Sequence, residues 1–360
     1  MALSKLWVIA YRDLGRNRRR TLFSLLAVAL GLALVIGING LIAGVYDDSL
    51  QSTIRLQTGH LQVRSENYDP DRVSLKWEDL LADPAPLAEQ IRGVEGVVAA
   101  TPILVASAFL NTPDESVGLE LRGVDPLSPF YDPFRQSLVA GSFLEPDDRS
   151  GILIGKRLAD SLGLGVDDRV TLTVIDANGE PDEAVFTIRG LFNTGFFIYD
   201  DGMALMPLEK AQAFTRTEGR ATSIIVLLED QEDAPRLAAA LQQPGLSVVT
   251  WEELNAVLVS TVETGMSFYI ILDAIVMLVV AVIIANTLLM AVFERIREMG
   301  ILAALGMKGR QIMQMYLLEA ATLALLGIAL GIVFGAGAVW YLSAVGIPIG
   351  DMGSAVQGMA

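Results

Sequence analysis

Three uninterrupted apolar stretches dominate the pattern of the chain: Leu22 to Val45, Phe268 to Phe293, and Ile312 to Tyr341. Each is long enough to cross about 30 Å of hydrocarbon as a helix, and only a helix satisfies its own backbone amides in lipid. Between the first two stretches, residues 47–264 carry only short apolar runs punctuated by Gly, Pro, Asp and Asn, as a water-soluble α+β domain does. Ahead of the first stretch, Leu3, Leu6, Trp7, Ala10 and Leu14 recur at helical spacing opposite Lys5, Arg12, Asp13 and Arg16. Residues 1–20 therefore predict an amphipathic helix lying on the membrane surface, with a plain cationic anchor as the alternative.

Within the middle block the pattern repeats. Ala85 to Arg92 reads as a helix, broken by Gly93 to Gly96 and followed by a strand-like run from Val97 to Leu110. Asp233 to Gln243 reads again as a helix, broken by Pro244 and Gly245 and followed by a strand from Leu246 to Thr250, with Ser223 to Leu228 as a strand before it. Two such units predict a split αβ sandwich with material inserted between them. The insert, about 138–207, is richer in strands (Gly151 to Ile154, Arg169 to Ile175, Ala184 to Leu191) with a short helix from Lys156 to Leu162, which predicts a small barrel. Phe192, Phe196, Phe197, Ile198 and Tyr199 cluster around Gly195, as a buried core strand or as an apolar loop that meets a substrate or partner.

Composition agrees with a membrane protein: of 360 residues, 52% are hydrophobic and only 19% charged. The net charge of -16 is concentrated, since Asp47 to Glu263 contains 36 acidic and 16 basic residues. The rest is net basic. Lys5, Arg12, Arg16, Arg18, Arg19 and Arg20 precede the first span, and Arg295, Arg297, Lys308 and Arg310 fill the loop between the second and third. By the positive-inside rule both segments face the cytoplasm and the acidic block lies outside, in the periplasm. Phe268, Tyr269, Trp340 and Tyr341 suit the outer aromatic belt. With no cysteine and a single His60 there is no disulfide framework, zinc site or convincing nucleophilic triad. The acidic balance excludes nucleic acid as a partner.

Gly151-Ile152-Leu153-Ile154-Gly155-Lys156-Arg157 imitates a phosphate-binding loop but has three residues between its glycines rather than four, and Arg157 where Ser or Thr would hold magnesium. The more specific segment is Glu294-Arg295-Ile296-Arg297-Glu298-Met299-Gly300-Ile301-Leu302-Ala303-Ala304-Leu305-Gly306. Ile296, Met299, Leu302 and Leu305 form an apolar stripe behind a charged start. A short amphipathic helix between two spans suits a groove in a soluble partner, or else rests on lipid.

At these residues the chain resembles the FtsX-like permease family, which includes permeases of macrolide-efflux and lipoprotein-release ABC systems. Ala10 to Thr21, with its Arg16-Asn17-Arg18-Arg19-Arg20 run, looks like that family's cytoplasmic entry into its first span, and Gly59-His60-Leu61-Gln62-Val63 with Asn67-Tyr68 looks like the lipoprotein-release branch. The resemblance implies a second permease copy or paralogue, a separate ABC ATPase subunit that holds ATP and magnesium, and no cofactor in this chain. It also implies that Glu294 to Gly306 is a coupling helix, with Glu294, Arg295, Arg297, Glu298, Met299, Gly300, Leu302, Leu305 and Gly306 as ATPase-coupling positions. The resulting plan is an amphipathic helix (1–20), a span (21–46), an external α+β domain (47–264), a span (265–293), the coupling helix (294–311), a span (312–341) and an external tail (342–360). The family's fourth span has no counterpart here.

Asp273, Asn286 and Glu319 fall inside the spans, where ionisable groups call for a functional explanation. Asp273 is placed to reach the outer interface or a substrate, and Glu319 to pair with Arg310 or carry protons. Gly327, Gly331 and Gly335, and Gly40 with Gly44, mark close helix contacts, either within the chain or between permease copies. The expected function is that of a non-catalytic permease of the bacterial inner membrane, in contact with membrane lipid, which extracts lipoprotein and passes it to a periplasmic carrier. Drug or peptide efflux, and signalling to a cell-wall hydrolase, are the alternatives.

Overall fold

A computed structural model describes residues 18–69, 72–294 and 296–345. The amphipathic helix predicted over 1–20 lies outside the described residues apart from its last three positions, as do Arg295 and the tail beyond residue 345. The described residues form two compact units, one of 18–48 with 259–345 and one of 49–258.

In chain order, α1 (Arg18–Thr53) ends in a π-helical turn (Ile54–Thr58) and leads to β1 (Leu61–Ser65), β2 (Leu81–Ala82) and α2 (Pro84–Arg92). Then follow β3 (Val97–Asn111), β4 (Ser116–Val124), α3 (Asp132–Gln136), β5 (Leu138–Gly141), β6 (Gly151–Gly155), α4 (Lys156–Leu162), β7 (Arg169–Ile175) and β8 (Pro181–Phe192). The mixed unit continues with α5 (Phe197–Gly202), β9 (Met203–Pro207), α6 (Leu208–Thr215), β10 (Arg220–Ala221), β11 (Ser223–Leu228), α7 (Ala234–Leu241), β12 (Leu246–Thr250) and α8 (Trp251–Leu254). The helices α9 (Ala256–Glu294), α10 (Ile296–Ala304) and α11 (Gly309–Val345) close the chain.

In the mixed unit β12, β1, β11 and the first half of β3 pair antiparallel in an open sheet. Helices α2 and α7 cover it, burying Ala88, Ile91, Leu237 and Leu241 against Leu61, Val63, Ile224 and Val226. β3 then leaves that sheet. Its second half pairs with β4 and β7, and the pairings β4 with β9, β9 with β6, β6 with β8 and β8 with β7 return to it, so six strands close a ring. Leu104, Ala106, Ala108 and Leu110 of β3 point inward with Leu119, Leu121, Ile152, Ile154, Leu172 and Phe186, the alternation of a side-chain-filled barrel. The barrel is therefore not confined to the insert expected over 138–207: β3 and β4 supply two of its strands. A 15-residue strand is longer than one small sheet can use, and closure removes exposed edges.

The aromatic run splits instead of forming a buried strand. Phe192 and Tyr199 are buried in a core with Leu56, Phe130, Tyr131 and Phe134, while Phe197 and Ile198 are 64% and 66% exposed on α5. Asp200, itself buried, fixes the intervening turn by accepting from the Thr194 and Gly195 amides and the Thr194 hydroxyl.

The other unit holds the helices that are long and apolar enough to cross a membrane, three among the described residues. Their glycines decide how they pack. A Cβ on Gly327, Gly331 or Gly335 of α11 would lie 2.7–2.9 Å from Val28, Leu32 or Ile36 of α1. The contacts advance four residues at a time on both helices, so α1 and α11 run parallel with backbones too close for any side chain between them. Gly40 meets Val339 of α11 and Gly31 meets Val280 of α9 in the same way. These glycines serve contacts within the chain, whereas Gly44 faces open space. Replacing Gly331 by Leu is expected to destabilise the helical unit by about 1–3 kcal/mol, as overpacking does. It should lower the melting midpoint in detergent, while Gly44→Leu leaves it unchanged.

Candidate functional sites: the connecting helix and the first-span joint

Helix α10 is two and a half turns long and ends in a Schellman motif: Met307 N–H donates to Leu302 O (3.1 Å) and Gly306 N–H to Ala303 O (3.0 Å). Gly306 adopts φ +95°, which is why this position takes glycine. The turn is short because Lys308 N–H donates to the side-chain Oε1 of Gln311 (2.9 Å), capping α11 at once. The predicted stripe divides into two: Met299 and Leu302 are half-buried along with Glu298, whereas Ile296 and Leu305 are 55% and 79% exposed. Ile301, outside that stripe, is 56% exposed as well. Glu294, Arg297 and Gly300 are exposed, and Gly300 has open space around it. An exposed apolar ridge of Ile301 and Leu305, one turn apart, is thus presented beside charged residues.

The second site is the joint where α1 ends. Gly59 N–H donates to Ile54 O (2.8 Å), the i to i−5 bond that closes the π-helical turn. Gly59 has φ +66°, and a Cβ there would meet Ile225 Cγ2 at 2.4 Å and the Val226 carbonyl at 2.9 Å. The next residue ties three segments together. His60 N–H donates to Val226 O (2.9 Å), its carbonyl accepts from Trp251 N–H (3.0 Å), and its Nδ1 accepts from Leu228 N–H (2.9 Å). Gln62 donates to the Thr58 carbonyl (3.1 Å) and accepts from Arg64, whose guanidinium stacks on Tyr68 (4.7 Å). On the other side Arg122, 2% exposed, donates through Nη1 to the Leu56 carbonyl (3.1 Å) and through Nε to Glu120. The Tyr199 hydroxyl donates to Gln57 (3.1 Å). Nearby in the same core, the buried Tyr131 hydroxyl makes no hydrogen bond among the described residues, and burial pushes its pKa up. Trp251, which pairs with His60, opens the short helix before α9, set by a capping box between Thr250 and Glu253.

The intramembrane candidates separate. Asp273 accepts from Asn39 Nδ2 (2.9 Å), which also donates to Val35 O (2.9 Å), so it bridges α9 to α1. Glu319 is 4% exposed on the stripe of α11 that carries Met315, Thr322 and Gly327. The helix register places it about two turns before Gly327, at the level where α1 begins. Asn286 lies on α9. The imitation phosphate loop is a strand followed by a helix. A Cβ on Gly155 would strike the Asp200 carbonyl at 2.0 Å, and Lys156 and Arg157 pair with Asp160 and Asp201.

Residues 21–243, more than half the chain, match the family model of the MacB-like periplasmic core domain. The chain belongs to that family. Residues 270–353 match the FtsX-like permease C-terminal model. The lipoprotein-releasing system transmembrane protein LolC of Neisseria meningitidis serogroup B is 26% identical over 337 residues, covering 90% of this chain and 78% of that protein. The macrolide export ATP-binding/permease protein MacB of Hyphomonas neptunium is 24% identical over 358 residues, and the chain spans about half of it (95% of this chain, 54% of that one). The crystal structure of the periplasmic region of MacB from Actinobacillus actinomycetemcomitans aligns with 58% of this chain and 97% of its own at 13% identity and a TM-score of 0.38. This FtsX-like chain is an ABC transporter permease of the LolC and MacB type.

In the sequence Gly59 and His60 stand out only by resemblance to the lipoprotein-release branch, and the joint gives both a physical role. Arg122 escaped it, since an arginine in an alternating strand gives no signal of burial. His60 supplies a pH test. Burial lowers its pKa below the ordinary 6.5, with Arg55 acting in the same sense and Asp230 opposing. The Leu228 amide also requires a lone pair on Nδ1. The unfolded chain therefore takes up the proton first, so stability is complete above pH 6.5 and falls as pH drops from there through the folded value. Equilibrium unfolding should show this slope, and His60→Asn, which keeps an acceptor but does not titrate, should flatten it.

Proposed function

We propose that the chain is the permease subunit that couples ATP hydrolysis by a separate ATPase to extraction of a lipoprotein from the outer face of the bacterial inner membrane. The domain of residues 49–258 then lies in the periplasm and α10 in the cytoplasm, as the basic residues around α1 and α10 favour. The chain itself carries no reaction; ATP and magnesium belong to the ATPase. The observation that carries the docking reading is the ridge of Ile301 and Leu305 on a capped helix between two spans. Apolar side chains so exposed outside the spans fit a groove in a partner, with Glu294, Arg297 and Glu298 at the rim. Glu298, Met299 and Leu302, half-buried, set the angle at which the ridge is offered.

The cargo assignment follows the LolC relative, which is named for lipoprotein release and most of whose length this chain covers. A periplasmic carrier would receive the lipoprotein, and a second permease copy or paralogue would complete the pathway. Export of a drug or peptide is the second reading, favoured by the match of residues 21–243 to the MacB-like core domain.

Leu305→Asp leaves the interior untouched, so the chain should still fold and insert. It should lose the ATPase on co-purification by about tenfold or more, the scale of a central interface residue. Retention of the ATPase by this variant and by Ile301→Asp would contradict docking through α10.

A further inference from the structure

A membrane helix that continues into a soluble domain leaves its last carbonyls to be satisfied by whatever the domain offers. At the end of α1 the donors come from two directions. From the open sheet and its approach, Gly59 N–H takes the Ile54 carbonyl and Gln62 takes that of Thr58. From the barrel, Arg122 takes that of Leu56 (3.1 Å). A cation at the carbonyl end of a helix also complements the helix dipole. Arg122 is 2% exposed and held by Glu120, so its guanidinium has a defined direction. The Leu56 side chain packs in the core beneath it, and Tyr199 reaches the neighbouring Gln57.

We infer that Arg122 is the positioning residue through which movement of the first span reaches the barrel. The inference rests on the proposed coupling to an ATPase and names the contact that coupling would use inside the outer domain. Apolar contacts around Leu56 can slide, but a buried guanidinium shared between a carboxylate and one backbone carbonyl cannot follow a shifted carbonyl without losing it. The turn it grips is π-helical, a form that sits one residue away from the ordinary helix and recurs at functional sites. Conversion of Ile54–Thr58 to α-helix would move the Leu56 carbonyl away from Arg122. The barrel strand that carries Arg122, β4, would feel that change directly, while the open sheet would feel it through Gly59 and Gln62.

The test is hydrogen exchange on the full complex of this chain with its ATPase in lipid nanodiscs, comparing the nucleotide-free and ATP–vanadate-trapped states. Wild type should show a severalfold nucleotide-dependent change in peptides covering β1 and in those covering β4 and β7. Arg122→Met should keep the ATPase, its basal turnover and the β1 response while losing the barrel response. Arg122→Lys, which keeps the charge but not the forked geometry, decides the matter if the Met variant does not assemble. A barrel response of wild-type size in either variant overturns the inference, and so does a wild-type complex in which β1 responds and the barrel does not. A wild-type complex with no nucleotide response anywhere fails earlier, at the coupling reading.

Discussion

The end of the first long helix is the constraint on which the rest of the outer domain depends. Thirty-six residues of α-helix run without a break from Arg18 to Thr53, and the chain must then turn into a sheet without stranding its carbonyls. It does so in a widened turn closed by Gly59, at a position where a Cβ would collide with Ile225 and Val226. From that point the neighbouring backbone is committed. His60 joins β1 to the chain at Val226 and Leu228 and to Trp251, so the end of α1 and the approach to α9 share one residue. The open sheet is built outward from this joint, and β3 carries its order into the barrel.

Under the proposed coupling to an ATPase, movement has to pass through helices that lipid cannot hold in place. The features that keep α1 definite are all close contacts. Glycines on α11 admit Val28, Leu32 and Ile36, Gly31 admits Val280, and Asn39 bonds Asp273 across to α9. Polar bonds of this kind contribute about 0.6 kcal/mol each in membranes, so their worth lies in register more than in stability. α10, in contrast, is closed at its C-terminal end by a Schellman motif and left with its ridge outward. Rigid helices with defined ends and an unsatisfied apolar face are what a mechanical coupling requires.

Much of this architecture was legible because it is local. The three long apolar helices follow from the length of their apolar runs, and the two helix–turn–strand units follow from Gly and Pro breaks, with one strand read over the residues it occupies, Ser223–Leu228. What escaped is non-local. A strand that serves two sheets shows in sequence only as an unusually long one, so ring closure through β3 was invisible. Small residues announce close approach but not the identity of the neighbour, which is why Gly327 and Gly335 left packing partners open until Val28 and Ile36 were seen against them. In α10 both faces carry apolar residues, so the periodic stripe took in Leu302, half-buried, and passed over Ile301, which is exposed. Phe192 and Phe197 look alike in sequence and differ only because the Asp200 turn sends them to opposite sides of the surface.

The central claim is that ATP turnover in a partner is linked to an apolar cargo handled outside the membrane. The most direct measurement is the ATPase rate of the reconstituted complex in proteoliposomes with and without triacylated lipoprotein. A lipoprotein-dependent change in turnover that disappears with the Glu298→Ala, Leu302→Ala pair is the predicted result. Turnover indifferent to lipoprotein in the intact complex would contradict the cargo assignment, and an ATPase that never associates would contradict the account as a whole.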